Sequence, residues 1–271
     1  MNYTLNIRGK LVDLKEPLVM GILNATPDSF YDASRQQTEK DMARRAHEIV
    51  DQGGAIIDVG ACSTRPGGPL ADEKEETERL RLALGVVRRE LPDAIVSVDT
   101  FRPSVARMAV EEYGVDIVND VSEAADETML RMVTRLRVPY VLTSVQPTLR
   151  DTLLAFAQKV QMLRDLGQND IILDPGFGFG KTLEENFVLF NQMEKLLVMQ
   201  LPLLVGISRK SMIYKTLECT PAEALNGTTV LHTVALQKGT SILRVHDVKE
   251  AVECCRIMTA LNNPCPPSQG T

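Results

Sequence analysis

Residues 95–120 read IVSVDTFRPSVARMAVEEYGVDIVND, and this stretch decides the fold. Ile95–Val98 is a short β-rich run broken only by Ser97, 103–113 carries a helical pattern, and Ile117–Val118 opens a second such run. Strands that are continuously apolar, rather than alternating, are buried on both faces, as in a parallel sheet sheathed by helices. The unit repeats in both directions. Upstream, strands at 18–23 (LVMGIL) and Ala55–Val59 precede helices at 38–52, with apolar Met42, Ala46, Ile49 and Val50, and at 72–91, striped by Leu80, Leu84 and Val87. Downstream come helix 126–136, strand Pro139–Leu142, helix 150–166, strand Ile171–Leu173 and helix 183–199. Strand Leu203–Val205, helix 221–238, strand Ile242–Val245 and helix 247–261 close the series. Eight β–α units in 271 residues favour a closed (β/α)8 TIM barrel over an open doubly wound sheet. No low-complexity linker divides them, so one catalytic domain is expected over 16–262. Residues 1–15 read as a β-hairpin, turning near Arg8-Gly9, that caps the barrel. The Pro-rich 263–271 reads as a flexible tail.

Hydrophobic residues make up 44% and charged residues 24%, an ordinary soluble composition that excludes a disordered chain. Lys+Arg 30 against Asp+Glu 36 leave a net charge of −6, which argues against a general polyphosphate or membrane-surface binder. With no tryptophan and 4% aromatics there is little material for stacking on single-stranded nucleic acid. Neither nucleic acid nor membrane is an expected partner. Cys62, Cys219, Cys254, Cys255 and Cys265 form no CxxC pair and no zinc spacing, and read as free thiols in a reducing compartment. The start, MNYTLNIRGK, is polar from its second residue, and no apolar run approaches the roughly 20 residues of a membrane helix. A cytoplasmic protein is expected.

The chemically unusual residues follow the C-terminal ends of the strands. Asn24-Ala-Thr-Pro-Asp28-Ser-Phe30-Tyr-Asp32 follows the first, and Gly60-Ala-Cys-Ser63-Thr64-Arg65-Pro66-Gly67 the second. Asp99, Asn119 and Asp120 close the third and fourth. Asp174-Pro-Gly-Phe-Gly-Phe179-Gly-Lys181, Gly206-Ile-Ser208-Arg209-Lys210-Ser211 and Arg244-Val-His246-Asp247 follow the sixth, seventh and eighth. In a barrel these ends converge on one face, so positions spread along the chain surround a single pocket. Singly, each has a blander reading. Asp99, Asp120 and Asp247 suit helix caps, and Asp174 before Pro-Gly suits a turn. GFGFGKT misses the Walker spacing, because Pro175 stands where glycine is required, and it misses the dinucleotide fingerprint. His47 and His232 lie in helical patterns and read as packing or surface residues. His246 with Arg65, Arg209 and Lys210 makes a cationic cluster where barrels commonly hold phosphate.

The segments MGILNATPDSFYD, IIDVGACSTRPGG, VSVDT, IVNDVS, ILDPGFGFGKT, VGISRKS, NGTT and RVHDV occur in this order. Together they resemble the signatures of the dihydropteroate synthase family, a transferase family of folate biosynthesis. It joins 6-hydroxymethyl-7,8-dihydropterin diphosphate to 4-aminobenzoate, giving 7,8-dihydropteroate and pyrophosphate. The resemblance implies that Asp99, Asn119 and Asp174 hold the pyrimidine edge of the pterin, whose N–H donors suit acceptor-only carboxylates. It implies that Lys210 donates to the carbonyl side, Arg244 stacks on the ring and Phe179 supports it. Asn24, Arg65, Arg244 and His246 would surround the diphosphate, with Asn24 a ligand of the implied cofactor Mg²⁺. Phe30, Thr64, Pro66 and Ser211 would shape the 4-aminobenzoate pocket, for which sulfonamide inhibitors compete. Asp32 would close over the site and join Arg65, Lys210, Arg244 and His246 as the catalytic set. A homodimer through the last helices is implied as well.

The leaving group, and the absence of a nucleophile–base pair, point to dissociative substitution at the pterin methylene. The chain departs from the family pattern in three places. Leu142-Thr143-Ser144-Val145-Gln146-Pro147 replaces a Met-His-Met stretch after the fifth strand, Cys62 stands where glutamate is usual, and Ala33-Ser34 replaces Gly-Gly. Two other readings compete. A pterin-binding methyltransferase would share the Asp/Asn clamp but not the diphosphate cluster, so Arg65 and His246 oppose it. A catalytically silent pterin-binding paralogue rests on the altered stretch, and Asn24, Lys210 and Arg244 oppose it.

Overall fold

A computed structural model describes residues 3–25, 35–61 and 71–262. The chain opens on a hairpin of β1 (Thr4–Ile7) and β2 (Lys10–Asp13), paired Ile7 to Lys10. Arg8 and Gly9 both take positive φ, 51° and 78°, the left-handed two-residue turn that matches the twist of a hairpin.

Eight parallel strands follow. They are β3 (Leu18–Asn24), β4 (Ile56–Gly60), β5 (Ile95–Asp99), β6 (Ile117–Asp120), β7 (Tyr140–Thr143), β8 (Ile171–Asp174), β9 (Leu204–Val205) and β10 (Ile242–Val245). Neighbours pair in the order β8-β7-β6-β5-β4-β3-β10-β9, and a parallel bridge from Leu173 to Leu203 joins the two ends. The sheet is closed, and the fold is a TIM barrel. Around it run α1 (Arg35–Asp51), α2 (Glu73–Glu90), α3 (Pro103–Tyr113), α4 (Thr128–Leu136), α5 (Leu149–Asp165), α6 (Leu183–Asn191), α7 (Ser211–Tyr214), α8 (Leu225–Gln237) and α9 (Val248–Asn262). Local chemistry sets several starts. Asp72 accepts from the Glu75 N–H, Pro103 occupies the first turn of α3, and Thr182 with Glu185 forms a capping box.

Two elements differ from the helical periodicity. The pattern over 183–199 is α6 followed by a separate 3₁₀ helix, Met193–Met199, and 221–238 is a 3₁₀ turn, Pro221–Glu223, before α8. In the first, Met193 and Leu196 are buried three residues apart, the spacing at which 3₁₀ side chains eclipse. The short α7 was not expected from the sequence.

Strand parity sorts the core into two clusters. Val19, Leu23, Ile57, Val59, Val96, Val98, Val118, Leu142, Leu173, Leu243 and Val245 pack against the helices. Met20, Ile56, Ile117, Val141, Ile172, Leu204 and Ile242 face inward and form a second cluster with Leu5, Ile7 and Leu14. The hairpin therefore seals the barrel where its strands begin. Asp116, buried at the start of β6, fixes it there by accepting from Arg8, Arg88 and the Val96 N–H.

Candidate active site

One pleat beyond that apolar floor, two residues further along each strand, the interior turns polar. Met20 gives way to Ile22, Ile56 to Asp58, Ile95 to Ser97, Ile117 to Asn119, Val141 to Thr143, Ile172 to Asp174, Leu204 to Gly206 and Ile242 to Arg244. Asp58, Ser97, Asn119, Thr143 and Asp174 are all buried. Asp58 Oδ1, Ser97 Oγ, Asn119 Oδ1 and Thr143 Oγ1 have no hydrogen-bond partner among the described residues. Buried polar atoms are ordinarily paired. Four orphans in one layer of the barrel interior mark a place that a polar ligand completes.

Arg244 crosses this ring. Its Nε donates to Asp58 Oδ2 at 2.6 Å and a terminal nitrogen donates to Asp99 Oδ2 at 2.5 Å. Burial disfavours its charge, but Asp58 and Asp99 outweigh that and raise its pKa further. Burial pushes the Asp99 carboxyl up to about 6, with Arg244 pulling the other way. The helix-cap reading of Asp99 fails, because Arg102 occupies the cap position of α3. Asn119 Nδ2 donates to Asp58 Oδ2 at 3.3 Å, so its carbonyl oxygen is the atom left free. Asp58 was not singled out in the sequence. A carboxylate inside the apolar run Ile56–Gly60 is costly to bury, and that cost is the signal that marks it.

The loop after β8 forms another wall. Asp174 Oδ1 accepts from the Gly176 N–H at 2.8 Å, the turn role read from its sequence, and burial raises its pKa against the pull of Lys210. Gly176 has φ 70°, and a Cβ there would lie 1.9 Å from the Ser144 carbonyl oxygen, so only glycine fits. Lys210 Nζ donates to the Phe177 carbonyl at 2.5 Å and sits 4.5 Å from the centre of the Phe179 ring. Burial lowers its pKa to about 8, opposed by Asp174 and Asp99. A Cβ on Gly206 would lie 3.8 Å from Arg244 Cβ and 3.9 Å from Lys210 Nζ, and its absence leaves a slot between the two cations. Lys181 donates to the carbonyls of Ser144, Gly176 and Phe179, tying this loop to the one after β7.

Other sequence-named residues fall as follows. Asn24 is exposed at the end of β3, and Ser211 opens α7, half-buried. His246 Nδ1 lies 3.2 Å from Ser208 Oγ. His246 is exposed as a residue, but desolvation of its ring, reinforced by Arg244, lowers its pKa to about 4, and before substrate binds it adds no charge to the cluster. Arg209 leaves that cluster as well. It pairs with Asp247 through two bonds of 2.8 and 2.9 Å and donates to the carbonyls of Pro221 and Ala222. Asp247 is thus an ion-pair partner, and Asp120 accepts from Ser122 and from the Tyr140 hydroxyl. His232 is buried in α8, its pKa lowered to about 4 by burial. Phe30, Asp32, Ala33, Ser34, Cys62, Thr64, Arg65 and Pro66 lie outside the described residues. Among those described, no cluster of three or more His, Cys, Asp or Glu could hold a metal by itself, and no helix is long and apolar enough to cross a membrane.

Residues 20–246 match the model of the pterin binding enzyme family. The chain is 35% identical over 268 residues to the dihydropteroate synthase of Escherichia coli (strain K12), covering 93% of this chain and 94% of that one. Among solved structures, the Yersinia pestis dihydropteroate synthase in a sulfonamide drug complex superposes with a TM-score of 0.88 at 33% identity, over 97% of this chain and 100% of that one. The Xanthomonas albilineans dihydropteroate synthase with 4-aminobenzoic acid gives a TM-score of 0.88 at 30% identity, over 98% and 100%.

Proposed function

The chain belongs to the dihydropteroate synthase family of pterin-binding enzymes, and on that premise we propose how its own residues condense 6-hydroxymethyl-7,8-dihydropterin diphosphate with 4-aminobenzoate. The observation that carries the reading is the buried polar ring with its unpartnered oxygens. Asp174 and the free carbonyl of Asn119 accept from the N–H groups along the pyrimidine edge, and Asp99 accepts from the same edge while holding Arg244. Arg244, fixed in plane by two carboxylates, offers a flat cationic face for the ring to stack on. Lys210 reaches the pterin carbonyl from its seat beside Phe179. This set grips the heterocycle and leaves its methylene towards the mouth.

There the C–O bond to the diphosphate breaks. Pyrophosphate takes the bonding pair, and ring conjugation spreads the positive charge left on the methylene. The 4-aminobenzoate nitrogen adds its lone pair and then loses a proton to solvent. Arg244 and Arg65 stabilise the departing anion, an electrostatic contribution that commonly dominates such reactions, and His246 at the mouth hydrogen-bonds to it. Asn24 presents an exposed neutral oxygen donor at the mouth, which suits a hard cation that draws its other oxygens from a diphosphate. Bound there, Mg²⁺ would supply charge for the leaving group. On the family resemblance, Phe30, Thr64, Pro66 and Ser211 would shape the 4-aminobenzoate pocket, where a sulfonamide competes, and Asp32 would close over it. The free thiols Cys219, Cys254 and Cys255 suit a reducing cytoplasm, and a second copy of the chain covers the apolar side of α8 and α9.

The test combines the protein with both substrates and Mg²⁺ and follows dihydropteroate by chromatography. Product whose formation a sulfonamide inhibits competitively against 4-aminobenzoate is the expected result. No product, or inhibition insensitive to 4-aminobenzoate, overturns the assignment.

A further inference from the structure

Thr143 is the last residue of β7, pairs in register with Asp174, and has no exposed surface. It stands two residues beyond Val141 of the apolar floor, so its side chain enters the polar ring and not the helix layer. Its two γ branches are in different surroundings. The methyl packs on the loop after β8, where Cγ2 lies 3.0 Å from the position a Cβ would take on Gly176. The hydroxyl is buried without a partner. β-branching restricts χ1, and the methyl contact on the loop after β8 holds the hydroxyl on the side away from Gly176.

A buried hydroxyl left unpaired destabilises the folded chain, because its desolvation is not offset. Valine at this position would have the same shape and the same methyl contact without that cost. We propose that Thr143 is a specificity-determining residue for the heterocycle, its hydroxyl completing a hydrogen bond to the bound pterin beside Asn119 and Asp174. This rests on the pterin reading of the ring and adds a contact to it. The site then favours a heterocycle with a polar atom facing β7 over one with carbon there.

Thr143→Val and Thr143→Ser separate this from a packing role. Pterin diphosphate affinity, by calorimetry, should fall about five- to fiftyfold in Thr143→Val, the cost of one hydrogen bond lost at a desolvated polar atom. Thr143→Ser should recover most of it, and KM for 4-aminobenzoate should not change. The melting temperature of Thr143→Val should equal or exceed that of the unaltered protein, because an orphaned group has been removed; a structural role lowers it. If the unaltered enzyme makes dihydropteroate and Thr143→Val binds the pterin equally well, the Thr143 assignment falls and the family reaction stands. If the unaltered enzyme does not bind the pterin, both fall.

Discussion

Arg244 and Lys210 both border Gly206, and Asp99 and Lys210 titrate away from their ordinary values. Burial holds a proton on Asp99 up to about pH 6 in the folded chain, against 3.8 for an ordinary aspartate. Between those values the folded state binds more protons than the unfolded state, so this group makes stability fall as pH rises through the window. Lys210 behaves oppositely. Its folded value of about 8 lies below the ordinary 10.5, so stability gains as pH rises from 8 towards 10.5. Ligand binding has its own optimum, because the pterin needs an ionised Asp99 and a protonated Lys210. Affinity for the pterin, measured by calorimetry, should peak between about pH 6 and 8, and Lys210→Met should remove the alkaline limb. A flat profile from acid to alkaline pH would contradict these roles. At this scale the sequence showed the strand-end residues Asp99, Asn119, Asp174, Lys210 and Arg244. It hid Asp58, which sits inside an apolar run and is marked only by the cost of burying a carboxylate there.

The elements that carry these residues do so at different depths. Leu5 and Ile7 of the hairpin belong to the apolar floor, one pleat below every polar side chain of the ring. Truncating Leu5 to alanine should therefore cost about 2–4 kcal/mol of stability, measured by urea unfolding, and leave KM for both substrates unchanged below the transition. A raised pterin KM in that variant would show that the floor is coupled to the ring. Helix boundaries were legible where chemistry punctuates them, as at Pro103 and Gly114 of α3. They were illegible at Gln192, because the helical pattern continues into Met193-Glu-Lys-Leu-Leu-Val-Met without a breaker residue, and the 3₁₀ stretch buries Met193 and Leu196 on one narrow face.

For the whole molecule, eight apolar runs announced eight strands, but their closure was not written in any of them. It depends on the single register bridge from Leu173 to Leu203, a contact between segments that share no local signal. The outer surface poses the same difficulty. Met258 of α9 turns inward and packs in the core, whereas Ile257 and Leu261 of the same stripe are 61% and 67% exposed. They stand four residues apart on one face of α9. Val230 on the adjoining α8 is also exposed, with Leu217 beyond α7. Neighbouring helices that expose large aliphatic residues offer a patch of the kind that marks an interface, and a net charge of −6 gives two copies no reason to meet there except apolar burial. The proposed homodimer places this side of the barrel against its counterpart. Sedimentation equilibrium at micromolar concentration should give twice the chain mass for the unaltered protein and a single chain mass for the Val230→Glu, Ile257→Glu double variant. The variant should keep its pterin affinity, because neither residue belongs to the polar ring. A monomeric unaltered protein, or a double variant that still dimerises, would place the interface elsewhere or remove it.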